Sequence, residues 1–84
     1  MGQWNRETLT RRIFEILRDE ILEVDAGFTP ASNLVEAGLD SLAVTQLLLA
    51  LEESTGIWVD ESLLTPENLA SSEALAACVA GSLG

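Results

Sequence analysis

Apolar side chains recur at three- and four-residue intervals in three stretches of this 84-residue chain, and that spacing commits most of it to amphipathic helices. In the first, from Asn5 to about Val24, the stripe is Leu9, Ile13, Ile16, Leu17, Ile21 and Val24. Arg11, Arg12, Glu15, Arg18, Asp19 and Glu23 fall between and give the helix a charged, solvated face. The second runs from about Asp40 to Thr55, with Val44, Leu47, Leu48 and Leu51 predicted to face inward and Gly56 placed to end it. The last begins at Ser71 or Ser72, passes through Leu75, Cys78 and Val79, and is predicted to stop near Gly81. Between them, Thr65-Pro66-Glu67-Asn68-Leu69 reads as one short helical turn with Thr65 as N-cap and Pro66 in the first helical position. Ile57-Trp58-Val59 is too short to build a sheet and reads as an extended connector packed on the helices. The expected fold is therefore all-α: a small four-helix bundle of three main helices plus one short helix, with a long loop between helices 1 and 2.

That loop, from Asp25 to Leu39, is broken by Gly27, Pro30, Asn33 and Gly38, and Phe28, Leu34 and Leu39 are placed to pin it to the core. No repeat or linker divides the chain, so residues 1–84 are expected to form a single domain with its core from about 5 to 81.

Composition narrows the function. The chain has no His and no Lys, which removes the imidazole base, the Schiff-base amine and His-based metal sites, so no catalytic residue and no metal site is expected. Fourteen acids against four arginines give a net charge of -10, which disfavours nucleic acid and anionic membranes and favours basic surfaces on other proteins. All four arginines, Arg6, Arg11, Arg12 and Arg18, lie in the first helix, so the acidic surface is downstream. No apolar run approaches the roughly 18 to 20 residues of a membrane span, and Met1-Gly2 opens no myristoylation motif because position 6 is Arg6. The lone Cys78, between alanines and Val79, reads as a small buried hydrophobe. A cytoplasmic monomer is the expectation.

The informative residues are Gly38-Leu39-Asp40-Ser41-Leu42, which set a serine at the start of the second helix. Asp and Ser are favoured N-caps, so the pair has a purely structural reading as well as a chemical one. Beyond the inward stripe, Leu42, Thr45, Gln46 and Leu49 lie on another face of the same helix and leave two leucines for surface or docking.

With Gly-Leu-Asp-Ser-Leu opening the second helix of an acidic domain of this size, the chain resembles the acyl and peptidyl carrier protein family, from roughly Leu9 to Val79. Asn33-Leu34, the Leu47-Leu48-x-x-Leu51-Glu52-Glu53 run, Gly56, the Leu69-x-Ser71 step, Leu75 and Val79 support the likeness. The resemblance implies that Ser41 is the covalent attachment point of 4'-phosphopantetheine, delivered from coenzyme A by a phosphopantetheinyl transferase. It gives Asp40 a metal-side contact in that encounter. It also implies a partner face of Leu42, Thr45, Gln46 and Leu49 flanked by Glu36, Glu52 and Glu53, read by an acyltransferase, adenylating ligase or synthase with a basic docking surface. Acyl or aminoacyl cargo would be held as a thioester on the arm.

The chain departs from fatty-acid carriers at Ala43 and Gln46, where acids are usual, which points to polyketide or nonribosomal peptide biosynthesis. Ser72 and Cys78 also stand where larger apolar residues are common, which bears on whether the bundle can shelter cargo. Two alternatives stay open: a fatty-acid synthase carrier, and an unmodified acidic helical adaptor in which Ser41 is only a cap and Leu42 with Leu49 anchors a partner helix.

Overall fold

In the computed structural model, which describes residues 4–83 and the side chains of 4–81, the helices form in the expected order with no strand among the described residues. Met1 and Gly2 lie outside the described residues. Helix α1 spans Arg6–Ile16 and runs directly into a π-helical turn, Leu17–Ile21; α2 spans Ser41–Thr55, a 3-10 turn spans Glu61–Leu63, and α3 spans Ser72–Leu83.

Asn5 begins α1 with a reciprocal cap: its side chain accepts from the Thr8 N–H at 2.9 Å while its own N–H donates to Thr8 Oγ1 at 2.9 Å. The helical stretch ends three residues before Val24, because the Leu22 N–H donates to the Leu17 carbonyl at 2.8 Å, a five-residue closure, and Leu22 itself is extended. The wider turn advances the phase by one residue. Leu22 is therefore buried in the place the period assigned to Ile21, and Ile21 and Val24 are only partly buried.

Helix α1 packs mainly on α3 and also on α2, so it is the central element of the bundle. Its Leu9 and Ile13, and Leu17 of the π-helical turn, are fully buried with Leu47 and Leu51 of α2, Leu75 and Val79 of α3, and Leu34 and Val59 from the connections. Inward positions of α2 are Ala43, Leu47, Leu48 and Leu51, with Val44 half-buried at the edge in place of the expected inward Val44. Ala76 joins the core face of α3. Cys78 is half-buried, its Sγ 3.8 Å from the Leu63 carbonyl oxygen, and so lies at the core margin instead of within it.

The long connection runs from 22 to 40 and is anchored as the sequence suggested, with Phe28, Leu34 and Leu39 all buried. Phe28 stacks on Phe14 of α1 with ring centroids 5.2 Å apart, and the Arg18 guanidinium lies 5.2 Å from the Phe14 ring. Backbone bonds from the Leu34 N–H to the Ala70 carbonyl and from the Glu73 N–H to the Pro30 carbonyl, each 3.1 Å, tie the loop to the start of α3.

The short helical element is at Glu61–Leu63, capped by the Asp60 side chain accepting from the Ser62 N–H at 2.8 Å. The expected turn at 65–69 is present as two backbone closures, Leu69 N–H to Thr65 carbonyl at 3.0 Å and Ala70 N–H to Glu67 carbonyl at 3.4 Å, with Thr65 Oγ1 accepting from the Asn68 N–H, and it does not extend into a helix. Nor does Gly81 end the last helix: its φ is not in the positive region, and α3 continues to Leu83.

Candidate functional site

Three local features build the start of α2. Gly38 adopts φ 110°, a conformation that L side chains rarely reach, and turns the chain toward the helix. Leu39 is buried, and its N–H donates to the Leu34 carbonyl at 2.9 Å, which fixes the approach. Asp40 is the N-cap, its Oδ1 accepting from the Ala43 N–H at 2.8 Å.

With Asp40 in that role, Ser41 becomes the first helical residue. It is exposed, and its hydroxyl has no hydrogen-bond partner among the described residues. The carbonyl of Ser41 accepts from Thr45 Oγ1 at 3.2 Å, so the residue one turn on is oriented against the same strip of backbone. Of the two capping candidates, Asp40 alone acts as the cap, which leaves the serine hydroxyl free for chemistry.

Ser41 opens onto a groove of about 440 Å³. Asp40, Val44 and Thr45 line one side, Glu61 and Leu64 come from the segment after α2, and Val35, Leu39 and Leu69 complete it. Hydrogen bonds from the Ser62 backbone and side chain hold the neighbouring Asp60 carboxyl below the usual carboxylate range.

The remaining residues singled out from the sequence divide into two sets. Leu42, Thr45, Gln46 and Leu49 are all exposed on α2, the two leucines at 67% and 50%, so the outer face exists as a continuous apolar and polar strip. Glu52 and Glu53 are exposed toward the end of the same helix. Glu36, although exposed, borders a different concavity together with Glu23, Asp25 and Phe28, and its N–H donates to Asn33 Oδ1 at 2.9 Å. Val35, Glu61 and Leu64 were not foreseen. They reach the groove through the path of two connections and carry no local periodic signal; only Asp60, an N-cap type two residues before Ser62, hinted at the turn that holds Glu61.

A second, larger concavity of about 780 Å³ lies along α1, lined by Arg6, Arg11, Phe14, Arg18, Pro30 and Glu73 among others, and it shares no residue with the Ser41 groove. Among the described residues no group of three or more His, Cys, Asp or Glu is arranged to hold a metal ion, and no helix is long and apolar enough to cross a membrane.

Comparison with known proteins gives this geometry its context. The family described as phosphopantetheine attachment site matches residues 11–79. Aminoacyl carrier protein 1 of Bradyrhizobium diazoefficiens is 33% identical over 70 residues, covering 83% of this chain and 76% of that protein. Aminoacyl carrier protein 2 of the same organism is 28% identical over 75 residues, covering 87% and 84%. Among solved structures, a chain in the crystal structure of Bradyrhizobium japonicum glycine:[carrier protein] ligase complexed with glycylated carrier protein aligns with TM-score 0.62 and 30% identity, over 87% of this chain and 96% of that one. A chain in the complex of the engineered ligase with a carrier protein from Agrobacterium tumefaciens and ATP aligns with TM-score 0.67 and 32% identity, over 84% and 95%.

The group named by the family needs an accessible hydroxyl with open space beside it, and the start of α2 supplies both. This chain belongs to the phosphopantetheine-attachment-site family: it is a carrier protein with a covalently attached 4'-phosphopantetheine cofactor, and not itself an enzyme.

Proposed function

We propose that Ser41 carries the phosphopantetheine arm and that the load is an amino acid, placed there by an adenylating ligase of the glycine:[carrier protein] ligase kind. The observation that carries the reading is the free, exposed Ser41 hydroxyl at the first position of α2, in a chain whose matched relatives are aminoacyl carrier proteins. Carriers seen with such a ligase, at 30% and 32% identity, support the choice of partner.

When bound, the arm supplies a terminal thiol that holds cargo as a thioester. The chain's own residues present and orient it. Asp40 starts the helix and stands next to the serine, where it serves as the metal-side contact for the transferase. Unpaired N–H groups of the first turn favour the phosphodiester at that end. With no His anywhere in the chain to act as base, the transferase must take the Ser41 proton as the oxygen attacks the β-phosphorus of coenzyme A and the adenosine bisphosphate leaves.

The α2 strip of Leu42, Thr45, Gln46 and Leu49 is the docking face in this reading, with Glu52 and Glu53 steering a basic partner surface toward it. Glu36 belongs to the acidic surroundings and not to that strip. Ala43 is buried and Gln46 neutral where fatty-acid carriers are acidic, which supports a nonribosomal peptide or polyketide setting over a fatty-acid synthase.

Intact mass after incubation with coenzyme A, magnesium and a broad-specificity transferase tests the attachment: the parent should gain about 340 Da and Ser41→Ala nothing. A gain in the variant, or none in the parent beside a working control carrier, overturns it. Adding ATP, glycine and the ligase should then add a glycyl mass. Efficient malonyl loading and chain elongation with general fatty-acid synthase enzymes would instead identify a fatty-acid carrier.

A further inference from the structure

The groove beside Ser41 has an uneven distribution of charge that the carrier role alone does not require. Its two acidic lining residues differ in availability: the Asp40 carboxylate is engaged by the Ala43 N–H, whereas Glu61 is exposed and its carboxylate has no hydrogen-bond or ion-pair partner among the described residues. Val35, Leu39, Val44, Leu64 and Leu69 supply the apolar part of the lining.

We propose that Glu61 is a specificity-determining residue for the load that the arm brings to this groove, pairing with the α-ammonium of an aminoacyl group. The inference rests on the attachment and cargo stated under Proposed function. An aminoacyl arm is anionic at its phosphodiester root and cationic at its tip. The groove offers a complement to each, with the N-terminal N–H groups of α2 beside Ser41 and a free carboxylate at Glu61 in the same lining. An acyl load of the same size lacks the ammonium and gains nothing from Glu61. Because the pair would be solvent-accessible, its selectivity is modest, about two- to fivefold in groove occupancy.

The test compares arms of equal length ending in glycyl or propionyl, installed on the full chain from hydrolysis-stable amide analogues of the corresponding coenzyme A thioesters. Mass verifies attachment, and backbone amide resonances then report the groove. The expected result is that glycyl displaces the signals of Glu61, Ser62 and Leu64 from their positions in the propionyl form. Glu61→Gln should abolish that difference with the mass gain unchanged, and in the parent 0.5 M salt should shrink it. Coincident signals for the two parent forms, or a difference that persists in Glu61→Gln, would overturn the role of Glu61. Failure of the arm to attach at all would show in the mass and would overturn the Ser41 reading, taking this inference with it.

Discussion

At the residue scale, the division of labour between Asp40 and Ser41 makes opposite predictions for neighbouring substitutions. Asp40→Ala removes the α2 cap and should cost about 1 kcal/mol by denaturant unfolding. Ser41→Ala removes a solvent-facing hydroxyl with no partner, so unfolding should change by no more than about 0.5 kcal/mol while arm attachment is lost completely. Ser72 is the reverse case: it is fully buried, and its Oγ has no hydrogen-bond partner because Ser71 supplies the α3 cap to the Ala74 N–H. Leaving a hydroxyl unsatisfied in the core costs about 1–3 kcal/mol, so Ser72→Ala should raise stability and lift Tm by several degrees in calorimetry. Both serines stood out in the sequence, one by its motif and the other as a polar residue at an apolar position. The sequence did not disclose that Val35, Glu61 and Leu64 share a groove with Ser41, because that proximity is created by chain path, and no spacing within a single element encodes it.

At the scale of elements, the two glycines that looked like helix stops behave differently, and the reason is backbone conformation. Gly56 is left-handed at φ 76°, its N–H donating to the Glu52 carbonyl at 2.7 Å, so it closes α2. Gly81 stays helical with open space where a Cβ would go. Gly56→Ala should therefore destabilise by about 1–2 kcal/mol. Gly81→Ala should stabilise, by up to about 1 kcal/mol, the two read side by side in thermal melts. Period alone located all three helices, and where it misplaced Ile21 and Val44 the reasons are physical. The π-helical closure at Leu17–Ile21 shifted the core position from Ile21 to Leu22, and burial of the small Ala43 left Val44 at the groove edge. The short helix lies upstream of Thr65, where the Asp60 carboxylate accepts from the Ser62 N–H at 2.8 Å, a closer cap than the 3.3 Å from the Asn68 N–H to Thr65 Oγ1.

For the whole molecule, charge is the dominant variable. Within Arg6 to Ile21 the four arginines are matched by Glu7, Glu15, Asp19 and Glu20, so the entire net charge of -10 falls on the remainder. Salt should thus act in two directions at once. Raising it from about 0.02 to 0.3 M shortens the screening length and relieves self-repulsion, which should increase Tm, while association with a basic ligase should slow in stopped-flow mixing. A rise in both, or a fall in both, would contradict this account. The class of function was legible from Gly38-Leu39-Asp40-Ser41-Leu42 at the start of the second helix, while the charge balance narrowed the kind of partner and the lack of His and Lys narrowed the chemistry open to the chain. The same partition makes the molecule an electric dipole. Asp40 and Glu61 place the Ser41 end in the acidic part, which a positive partner should turn toward itself. With the arm at Ser41 as proposed, orientation is then selected before contact, and a larger share of encounters should begin with the arm facing its enzyme.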